Sequence, residues 1–235
     1  AMLEPLEELE LEVNQAALVI GGGIAGMAAA KNLASQGYRT YLIEKSDRLG
    51  GNALSLFKTW KGEDIQENLK GLINDIQLDT NIETFLKAEI THVDGFVGNF
   101  TTTISIDGKE EKELTHGVTI IATGASELKP DEYLYGKDPR VLTSLDLDRL
   151  FIEKDEGLNN IGTCVFIQCV GSRIPERPYC SKVCCTHSVV SALHLKEMNP
   201  AMRVFVLYRD MRTYGLRENL YREAREKGVI FIRYD

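Results

Sequence analysis

The cysteines of this chain are the residues whose type and spacing point most directly to chemistry. All five lie between Cys164 and Cys185, and the other parts of the 235-residue chain have none. A disulfide framework would distribute its cysteines over the whole fold, whereas a local cluster is typical of a metal or redox site in a reducing compartment. We therefore expect a cytoplasmic protein. Cys164 lies within a predicted strand, where we expect a buried structural role.

The other four cysteines lie where a predicted strand ends and a predicted helix begins: Cys169, Cys180, Cys184 and Cys185. We predict a helix over residues 181–198, which places Cys180 and Cys184 one helical turn apart. The partial positive charge at a helix N-terminus favours thiolates and anionic clusters. Four cysteine ligands suit a zinc ion or an iron–sulfur cluster, although the spacing matches neither a zinc ribbon nor the common ferredoxin pattern. A set of buried structural cysteines is the alternative.

A glycine-rich turn early in the chain predicts a different kind of site. Gly21, Gly23 and Gly26 have the spacing G-x-G-x-x-G, between a short apolar run and a predicted helix. The first glycine permits a tight turn, the second lets the backbone approach a pyrophosphate, and the third allows close packing of helix on strand. Free N–H groups at the helix N-terminus bind phosphate. Glu44, at the end of the next predicted strand, is placed to accept hydrogen bonds from a ribose. We therefore predict a dinucleotide-binding site.

Two further segments bear on which dinucleotide is bound. The pair Gly50-Gly51 is similar to the second half of the extended FAD fingerprint, and Ala122-Thr123-Gly124 resembles a segment of flavoproteins with two dinucleotide-binding domains. In this order, the three pieces resemble the thioredoxin-reductase-like flavoproteins, and this resemblance implies FAD. The residues then expected to contact FAD are Gly21, Gly23, Gly26, Glu44, Lys45, Gly50, Gly51, Ala122, Thr123 and Gly124.

These motifs need strands and helices to position them, and the pattern predicts an α/β protein. Residues 1–14 are acidic and are interpreted as a linker or tag. Residues 15–157 predict a Rossmann-type FAD-binding domain with a parallel sheet. A small antiparallel meander is predicted over residues 82–105, with turns at Asp94-Gly95 and Asp107-Gly108.

The remainder of the chain, residues 158–235, predicts a second, incomplete Rossmann-like domain of alternating strands and helices. A G-x-G-x-x-G motif is absent after its first predicted strand. The cysteines therefore lie where a second glycine loop would bind a nicotinamide dinucleotide.

Charge and hydropathy exclude two classes of partner. The formal net charge of −8 at pH 7 argues against non-specific binding of nucleic acid, which needs a basic footprint. No apolar run approaches the roughly 18 residues of a membrane-spanning helix. We therefore expect no nucleic acid partner and no membrane span.

The cysteine region also resembles a particular family. The segments 169–173, 176–187 and 207–215 look like the A subunit of heterodisulfide reductase, and related A subunits of quinone-interacting oxidoreductases share the cysteine motif. The similarity extends from about residue 6 to the end of the chain. It implies an oxidoreductase subunit that transfers electrons between FAD and a nearby [4Fe–4S] cluster held by the four cysteines at positions 169, 180, 184 and 185.

The same resemblance implies partners and a longer protein. The expected partners are other subunits of a redox complex, similar to the B and C subunits of heterodisulfide reductase, and donors of hydrogenase or ferredoxin type. The chain departs from the fullest family pattern because no ferredoxin-type cysteine insertion follows Gly51 and no C-terminal ferredoxin domain is present. We interpret it as the flavoprotein core of a longer chain.

Two alternatives remain at this stage. The chain is also compatible with an NAD(P)H-dependent flavoprotein disulfide reductase whose cysteines are structural or bind zinc, although it lacks a second glycine loop and a Cys-x-x-Cys pair. A scaffold without cofactors is a third hypothesis. Single residues such as Trp60, His187 and Arg209 are weaker candidates, for which packing or solvated roles are the simplest expectation.

Overall fold

The computed structural model describes residues 11–234 and shows an α/β fold with parallel and antiparallel sheets. Its contacts divide the chain into two compact units. Of the described residues, unit 1 comprises residues 11–54 together with Gln66–Ala125, and unit 2 comprises Ser55–Ile65 together with residues 126–234. Among the described helices, none is both long and apolar enough to cross a membrane.

Unit 1 is built on a parallel sheet whose central strands are short and apolar. Leu18, Val19 and Leu42 are fully buried, as expected for strands covered on both faces. The strands lie in the order 82–85, 40–43, 17–20 and 118–121 across the sheet, and all neighbours are parallel. The elements of this sheet and its helices are β1 (Ala17–Ile20), α1 (Ile24–Ser35), β2 (Thr40–Ile43), α2 (Ile65–Leu78), β3 (Ile82–Phe85) and β7 (Val118–Ile121). The predicted helix end is confirmed, because Gly37 follows α1 with φ +88° and donates its N–H to the Ala34 carbonyl.

An antiparallel sheet of three strands forms the other part of unit 1. Its strands are β4 (Ala88–Phe96), β5 (Asn99–Ile106) and β6 (Glu110–His116). The predicted turn at Asp107-Gly108 is confirmed, but the one at Asp94-Gly95 is wrong, because Gly95 pairs with Phe100 inside the hairpin. A Cβ on Gly95 would lie 2.1 Å from a backbone oxygen of Asn99, so this glycine is needed for close approach of the two strands. The meander also starts later than predicted, since residues 82–85 belong to the parallel sheet.

Unit 2 contains a second parallel sheet, with the order β10-β9-β8. Its elements are α3 (Ser144–Glu153), β8 (Thr163–Ile167), α4 (Cys184–Met198), β9 (Arg203–Tyr208), α5 (Glu218–Glu226) and β10 (Ile230–Arg233). Helix α3 begins with a capping box in which Thr143 and Asp146 exchange hydrogen bonds. Leu147 and Phe151 of α3 pack in the same core as α4 and β9. Residues 126–157, which the sequence analysis assigned to the first domain, therefore have their contacts in unit 2.

Candidate functional site

The glycine loop of unit 1 connects β1 directly to α1, and two of its glycines are explained by packing. Gly21 has φ +109°, and a Cβ there would lie 2.4 Å from the carbonyl oxygen of Ala122. A Cβ on Gly26 would lie 1.8 Å from the carbonyl oxygen of Gly21. Both positions must therefore be glycine for β1, β7 and α1 to approach each other as closely as they do.

Gly23 differs from these two glycines. It is the N-cap of α1, with an extended backbone at φ −77° and ψ −177° that any residue adopts. A Cβ added to it would have no atom of the described residues within 4 Å. Neither the backbone nor the packing of this chain requires glycine at this position. The open space beside Gly23 therefore fits a ligand that passes close to the backbone.

The start of α1 offers hydrogen-bond donors to such a ligand. The first intrahelical bond runs from the Met27 N–H to the Gly23 carbonyl, so the N–H groups of residues 24–26 have no intrahelical acceptor. The helix has neither a side-chain cap nor an acidic residue in its first turn. These free donors and the positive end of the helix fit the pyrophosphate of a dinucleotide.

Glu44 lies beside this loop, at the end of β2. Its Oε2 accepts a hydrogen bond of 2.7 Å from the Gly22 N–H, and its Oε1 accepts bonds from the N–H and hydroxyl of Ser46. Burial raises the pKa of the Glu44 carboxyl, but the bonds from Ser46 and Gly22 lower it by more, so the pKa lies below its ordinary value of 4.5. Glu44 is thus an oriented carboxylate, suited to accept hydrogen bonds from ribose hydroxyls.

The structure brings the other predicted FAD residues to the same end of the sheet, apart from two. The Gly50 N–H donates to the Gly22 carbonyl over 2.8 Å, and a Cβ on Gly51 would lie 3.2 Å from the Cα of Gly23. Ala122 and Thr123 lie against Gly21. For the exposed residues Lys45 and Gly124, no direct contact with the glycine loop is recorded. Sequence analysis missed Asn52, whose amide donates to the Ala125 carbonyl over 2.7 Å and joins the two loops.

The cysteines of unit 2 are all free thiols. Cys169 follows β8 with φ +62°, Cys180 lies in the loop, and Cys184 and Cys185 begin α4. The predicted helical turn between Cys180 and Cys184 is wrong, because Lys182 has φ +62°, which an α-helix does not accommodate. Burial raises the pKa of Cys164 to about 11, which keeps that thiol protonated.

Two of the four candidate ligands, Cys184 and Cys185, interact electrostatically. The hydrogen bond from Cys185, helped by one from Ser181, outweighs burial and lowers the pKa of the Cys184 thiol below its ordinary value. The same bond and burial raise the pKa of Cys185. The Cys180 sulfur accepts a hydrogen bond of 3.3 Å from the Lys182 N–H.

The four thiols are thus not gathered into a ligand set. Within residues 11–234, no group of three or more Cys, His, Asp or Glu side chains has an arrangement that holds a metal ion. The donor chemistry nevertheless fits an iron–sulfur cluster, since four free thiols occur in one strand-to-helix connection.

Two arginines lie beside these cysteines. Arg173 donates from Nη2 to the Asp210 carboxylate over 2.7 Å, and Arg209 donates from Nη1 to the Arg173 carbonyl over 2.7 Å. The bond to Asp210 raises the pKa of Arg173, and Cys169 contributes in the same direction. The Cys185 thiol lies 3.6 Å from the carbonyl oxygen of Asp210. Sequence analysis did not single out Arg173, because the contact with Asp210 depends on the pairing of β8 with β9.

The weaker candidates have other partners. A cleft of about 320 Å³ in unit 2 is lined in part by Trp60, Asp148 and His187. His187 Nε2 lies 3.0 Å from Oδ2 of the buried Asp148, although without the geometry of a hydrogen bond. The guanidinium of Arg217 lies over the Trp60 ring at 5.5 Å. His187 therefore faces an acidic partner and not the thiols, as expected for a packed helix residue.

The parallel sheet, the glycine loop and the oriented Glu44 define a dinucleotide-binding α/β protein. The chain belongs to the pyridine nucleotide-disulphide oxidoreductase family, whose model matches residues 15–158. This membership confirms the predicted fold class and the assignment to the oxidoreductases, and it supports FAD as the cofactor.

Curated relatives confirm the resemblance found in the sequence. The chain is 30% identical to an iron-sulfur A subunit of the CoB–CoM heterodisulfide reductase of Methanopyrus kandleri, over 98% of this chain and 49% of the relative. It is 29% identical to the corresponding A subunit from Methanocaldococcus jannaschii, over 98% of this chain and 49% of the relative. The chain thus spans about half the length of the curated relatives it matches. The first alignment covers 329 positions, more than the 235 residues of this chain, so that relative has residues within the matched stretch that this chain lacks.

Solved structures share the fold at low identity. Thioredoxin reductase of Lactococcus lactis is 18% identical with a TM-score of 0.59, over 93% of this chain and 64% of that chain. A NAD-dependent persulfide reductase from A. fulgidus is 22% identical with a TM-score of 0.56, over 93% of this chain and 39% of that chain. These likenesses agree with the thioredoxin-reductase-like fold expected from the glycine motifs.

Proposed function

We propose that this chain is the FAD-binding core of an electron-transfer subunit similar to the A subunit of heterodisulfide reductase. The observation that carries this proposal is the segment after β8. A strand-to-helix connection with four free cysteines occupies the position where a nicotinamide-binding domain has its second glycine loop. This arrangement favours transfer of electrons to a metal centre over transfer to a nicotinamide.

The residues proposed to bind FAD are those of the glycine loop and its neighbours. The free N–H groups at the start of α1 and the open space beside Gly23 would together bind the pyrophosphate. Glu44 would accept hydrogen bonds from the adenosine ribose, and Gly50-Gly51 and Ala122-Thr123-Gly124 would line the cofactor. Lys45 remains a candidate for the same site. Bound FAD would supply the capacity to accept and donate one or two electrons.

The cysteines at positions 169, 180, 184 and 185 are proposed to hold a [4Fe–4S] cluster, which would exchange single electrons. The low pKa of Cys184 supports a thiolate at that position. The description of relatives as iron-sulfur subunits supports the same cofactor. This chain supplies position and electrostatics, and none of its side chains is proposed to act as a general acid or base.

The partners are proposed from the names of the relatives. One relative is the A subunit of the H(2):CoB-CoM heterodisulfide,ferredoxin reductase of Methanothermobacter marburgensis, and another is the A subunit of the ferredoxin:CoB-CoM heterodisulfide reductase of Methanosarcina acetivorans. We propose that this chain works with B- and C-like subunits and with donors of hydrogenase or ferredoxin type. We propose the cytoplasm as its compartment, because free thiols are typical of reducing surroundings.

A second candidate function is a NAD(P)H-dependent flavoprotein disulfide reductase with structural or zinc-bound cysteines. The adjacent free thiols of Cys184 and Cys185 at the start of α4 favour it, because a dithiol is the redox group of such enzymes. Adjacent cysteines nevertheless form a strained and poor redox pair. This candidate predicts reduction of the flavin by NADH or NADPH, and either zinc or no metal at the cysteines.

Anaerobic purification followed by an ultraviolet–visible spectrum and quantitation of flavin, iron, sulfide and zinc tests the proposal. We expect flavin absorption and about four irons per chain. Cys184→Ser should lose iron while it keeps flavin, because the two sites lie in different units. Cys164→Ser is the matched control and should keep both, because Cys164 is a half-buried, protonated thiol within β8.

The outcomes separate the candidates. Zinc without iron, together with reduction of the flavin by NADH, would establish the disulfide reductase instead. Unchanged iron in Cys184→Ser would remove Cys184 from the ligand set. If the protein contained neither flavin nor metal, even after reconstitution, both of these candidates would be refuted and the cofactor-free scaffold would be the remaining hypothesis.

A further inference from the structure

We propose that Ser46 is a positioning residue of the FAD site, which holds the Glu44 carboxylate in place for the adenosine ribose. This inference deepens the proposed function and rests on it, because it requires FAD at the glycine loop. Ser46 belongs to none of the glycine motifs. It lies in the exposed segment 45–48, which leads from the end of β2 to Gly50-Gly51.

The first step concerns the donors that the Glu44 carboxylate receives. Glu44 is only 8% exposed, so its carboxylate needs hydrogen bonds from the chain itself. The Gly22 N–H donates to Oε2 over 2.7 Å. Ser46 donates twice to Oε1, from its N–H over 2.8 Å and from its hydroxyl over 2.9 Å. Ser46 thus supplies two of these three bonds, and one of the two depends on its side chain.

The second step is that the same hydroxyl reaches the turn before Gly50. The Ser46 Oγ lies 2.7 Å from the carbonyl oxygen of Arg48, so its single hydrogen is shared between this oxygen and the carboxylate of Glu44. The Ser46 carbonyl accepts a bond of 2.8 Å from the Lys87 N–H, which fixes the backbone separately. The hydroxyl therefore joins the carboxylate to the segment that leads to Gly50.

The third step is that this segment contacts the glycine loop. Leu49 is 5% exposed, and a Cβ on Gly22 would lie 2.5 Å from its Cδ2. The Gly22 carbonyl accepts from the Gly50 N–H over 2.8 Å, while the Gly22 N–H donates to Glu44. Glu44, Gly22 and Gly50 are thus connected through their hydrogen bonds, and the Ser46 hydroxyl connects both ends of this set. A less well fixed carboxylate would disturb the glycine loop as well as the contact with the ribose.

The charge of Glu44 agrees with this role. The bonds from Ser46 and Gly22 outweigh burial and hold the pKa of the Glu44 carboxyl below its ordinary value. An ionised carboxylate is an acceptor only, which suits the hydroxyl donors of a ribose. The bonds from the Ser46 N–H and the Gly22 N–H remain when the hydroxyl is removed. Because Ser46 is exposed, its variants should fold, and the effect of its hydroxyl should appear in the binding of FAD.

The test compares Ser46→Ala, which removes the hydroxyl, with Ser46→Thr, which retains it. Ser46→Ala is also made together with Glu44→Gln, so that the dependence of the effect on the carboxylate is measured. The matched control is Ser35→Ala, because the exposed Ser35 donates its hydroxyl to the Asn32 carbonyl over 2.8 Å at the opposite end of α1 from the glycine loop. Fluorescence titration with FAD gives the affinity, and thermal unfolding of the apoprotein shows that each variant is folded.

We expect Ser46→Ala to weaken FAD binding about twofold to tenfold, the effect of one hydrogen bond, and Ser46→Thr to remain within about twofold of the wild type. Ser35→Ala should match the wild type, and Ser46→Ala should add no further loss to Glu44→Gln.

Wild-type affinity in Ser46→Ala, or an equal loss in Ser35→Ala, would overturn the inference while the proposed FAD site stands. The same loss with and without Glu44→Gln would show that Ser46 does not act through the carboxylate. A folded Ser46→Thr that binds as weakly as Ser46→Ala would also contradict a role of the hydroxyl. Wild-type protein that binds no FAD would refute the proposed site itself.

Discussion

The substitution Gly23→Ala tests whether glycine is required at this position for FAD binding or for the stability of the fold. The backbone of Gly23 is extended and compatible with alanine, and a Cβ there would meet no atom within 4 Å. Alanine in place of glycine reduces the entropy of the unfolded chain and stabilises a compatible site by about 0.4–1 kcal/mol. Alanine is a poorer N-cap than glycine, which costs roughly 0.5–1 kcal/mol. The two effects nearly cancel, so the free energy of unfolding should change by less than about 1 kcal/mol.

For a chain of this length, that limit corresponds to a shift in Tm of no more than about 4 °C. The effect on FAD should be much larger, because the new methyl group would fill the space proposed for the pyrophosphate. We expect the affinity to fall at least about tenfold, equivalent to about 1.4 kcal/mol. Thermal unfolding of the apoprotein measures the first quantity, and a fluorescence titration with FAD measures the second.

Gly26→Ala is the matched control for this substitution. It adds the same methyl group three residues later, where the Cβ would lie 1.8 Å from the carbonyl oxygen of Gly21. Such overpacking costs about 1–3 kcal/mol or more, so this variant should unfold at a clearly lower temperature. Wild-type affinity for FAD in Gly23→Ala would show that the open space is not the pyrophosphate site. Equal destabilisation by the two substitutions would refute the packing argument.

Two further predictions concern Glu44 and the start of α3. Because the folded-state pKa of Glu44 is lowered, its ionisation stabilises the fold above its ordinary pKa of 4.5, and this contribution is lost as the pH falls through the lower value. Glu44→Gln should therefore lose less stability than the wild type on acidification, and identical acid unfolding curves would contradict this. It should also bind FAD more weakly, because the amide replaces the carboxylate proposed to bind the ribose. Thr143→Ala removes the capping box of α3 and should cost about 1 kcal/mol, or roughly 2–4 °C in Tm. Thr143→Ser should keep the capping box and a Tm close to that of the wild type. Equal Tm values for all three proteins would show that the cap does not contribute to stability.

The elements that could be predicted from the sequence are those whose signals are local. A short apolar strand, three glycines and an alanine-rich helix ended by Gly37 all act within one β-α-β unit, and the structure contains that unit. The four residues of β3 were wrongly assigned to the meander. An alternation of apolar and polar residues does not distinguish an edge strand of a parallel sheet from a strand of an antiparallel meander. The turn predicted at Asp94-Gly95 was wrong because an Asp-Gly pair is typical of turns. The sequence alone does not show that this glycine is needed for the close approach of two strands.

The cysteine region shows a different limit. The left-handed backbone at Lys182 delays the start of α4 to Cys184, and nothing in the residue types around it indicates this conformation. The bonds from Arg173 to Asp210 and from Arg209 to the Arg173 carbonyl join residues far apart in the chain. The sequence could thus identify the thiols as candidates, but the groups that surround them follow from tertiary packing.

The position of β7 at the edge of its sheet affects how the chain behaves in concentrated solution. It pairs with β1 on one side, and none of the described strands pairs with its other side. The side chain of Ile121 is 75% exposed there, and Val118 is 48% exposed. An open edge of this kind is a template onto which a second molecule adds its own strand. Molecules that each carry a net charge of −8 repel one another and dissolved salt screens that repulsion, so we expect this chain to associate more readily as the ionic strength rises.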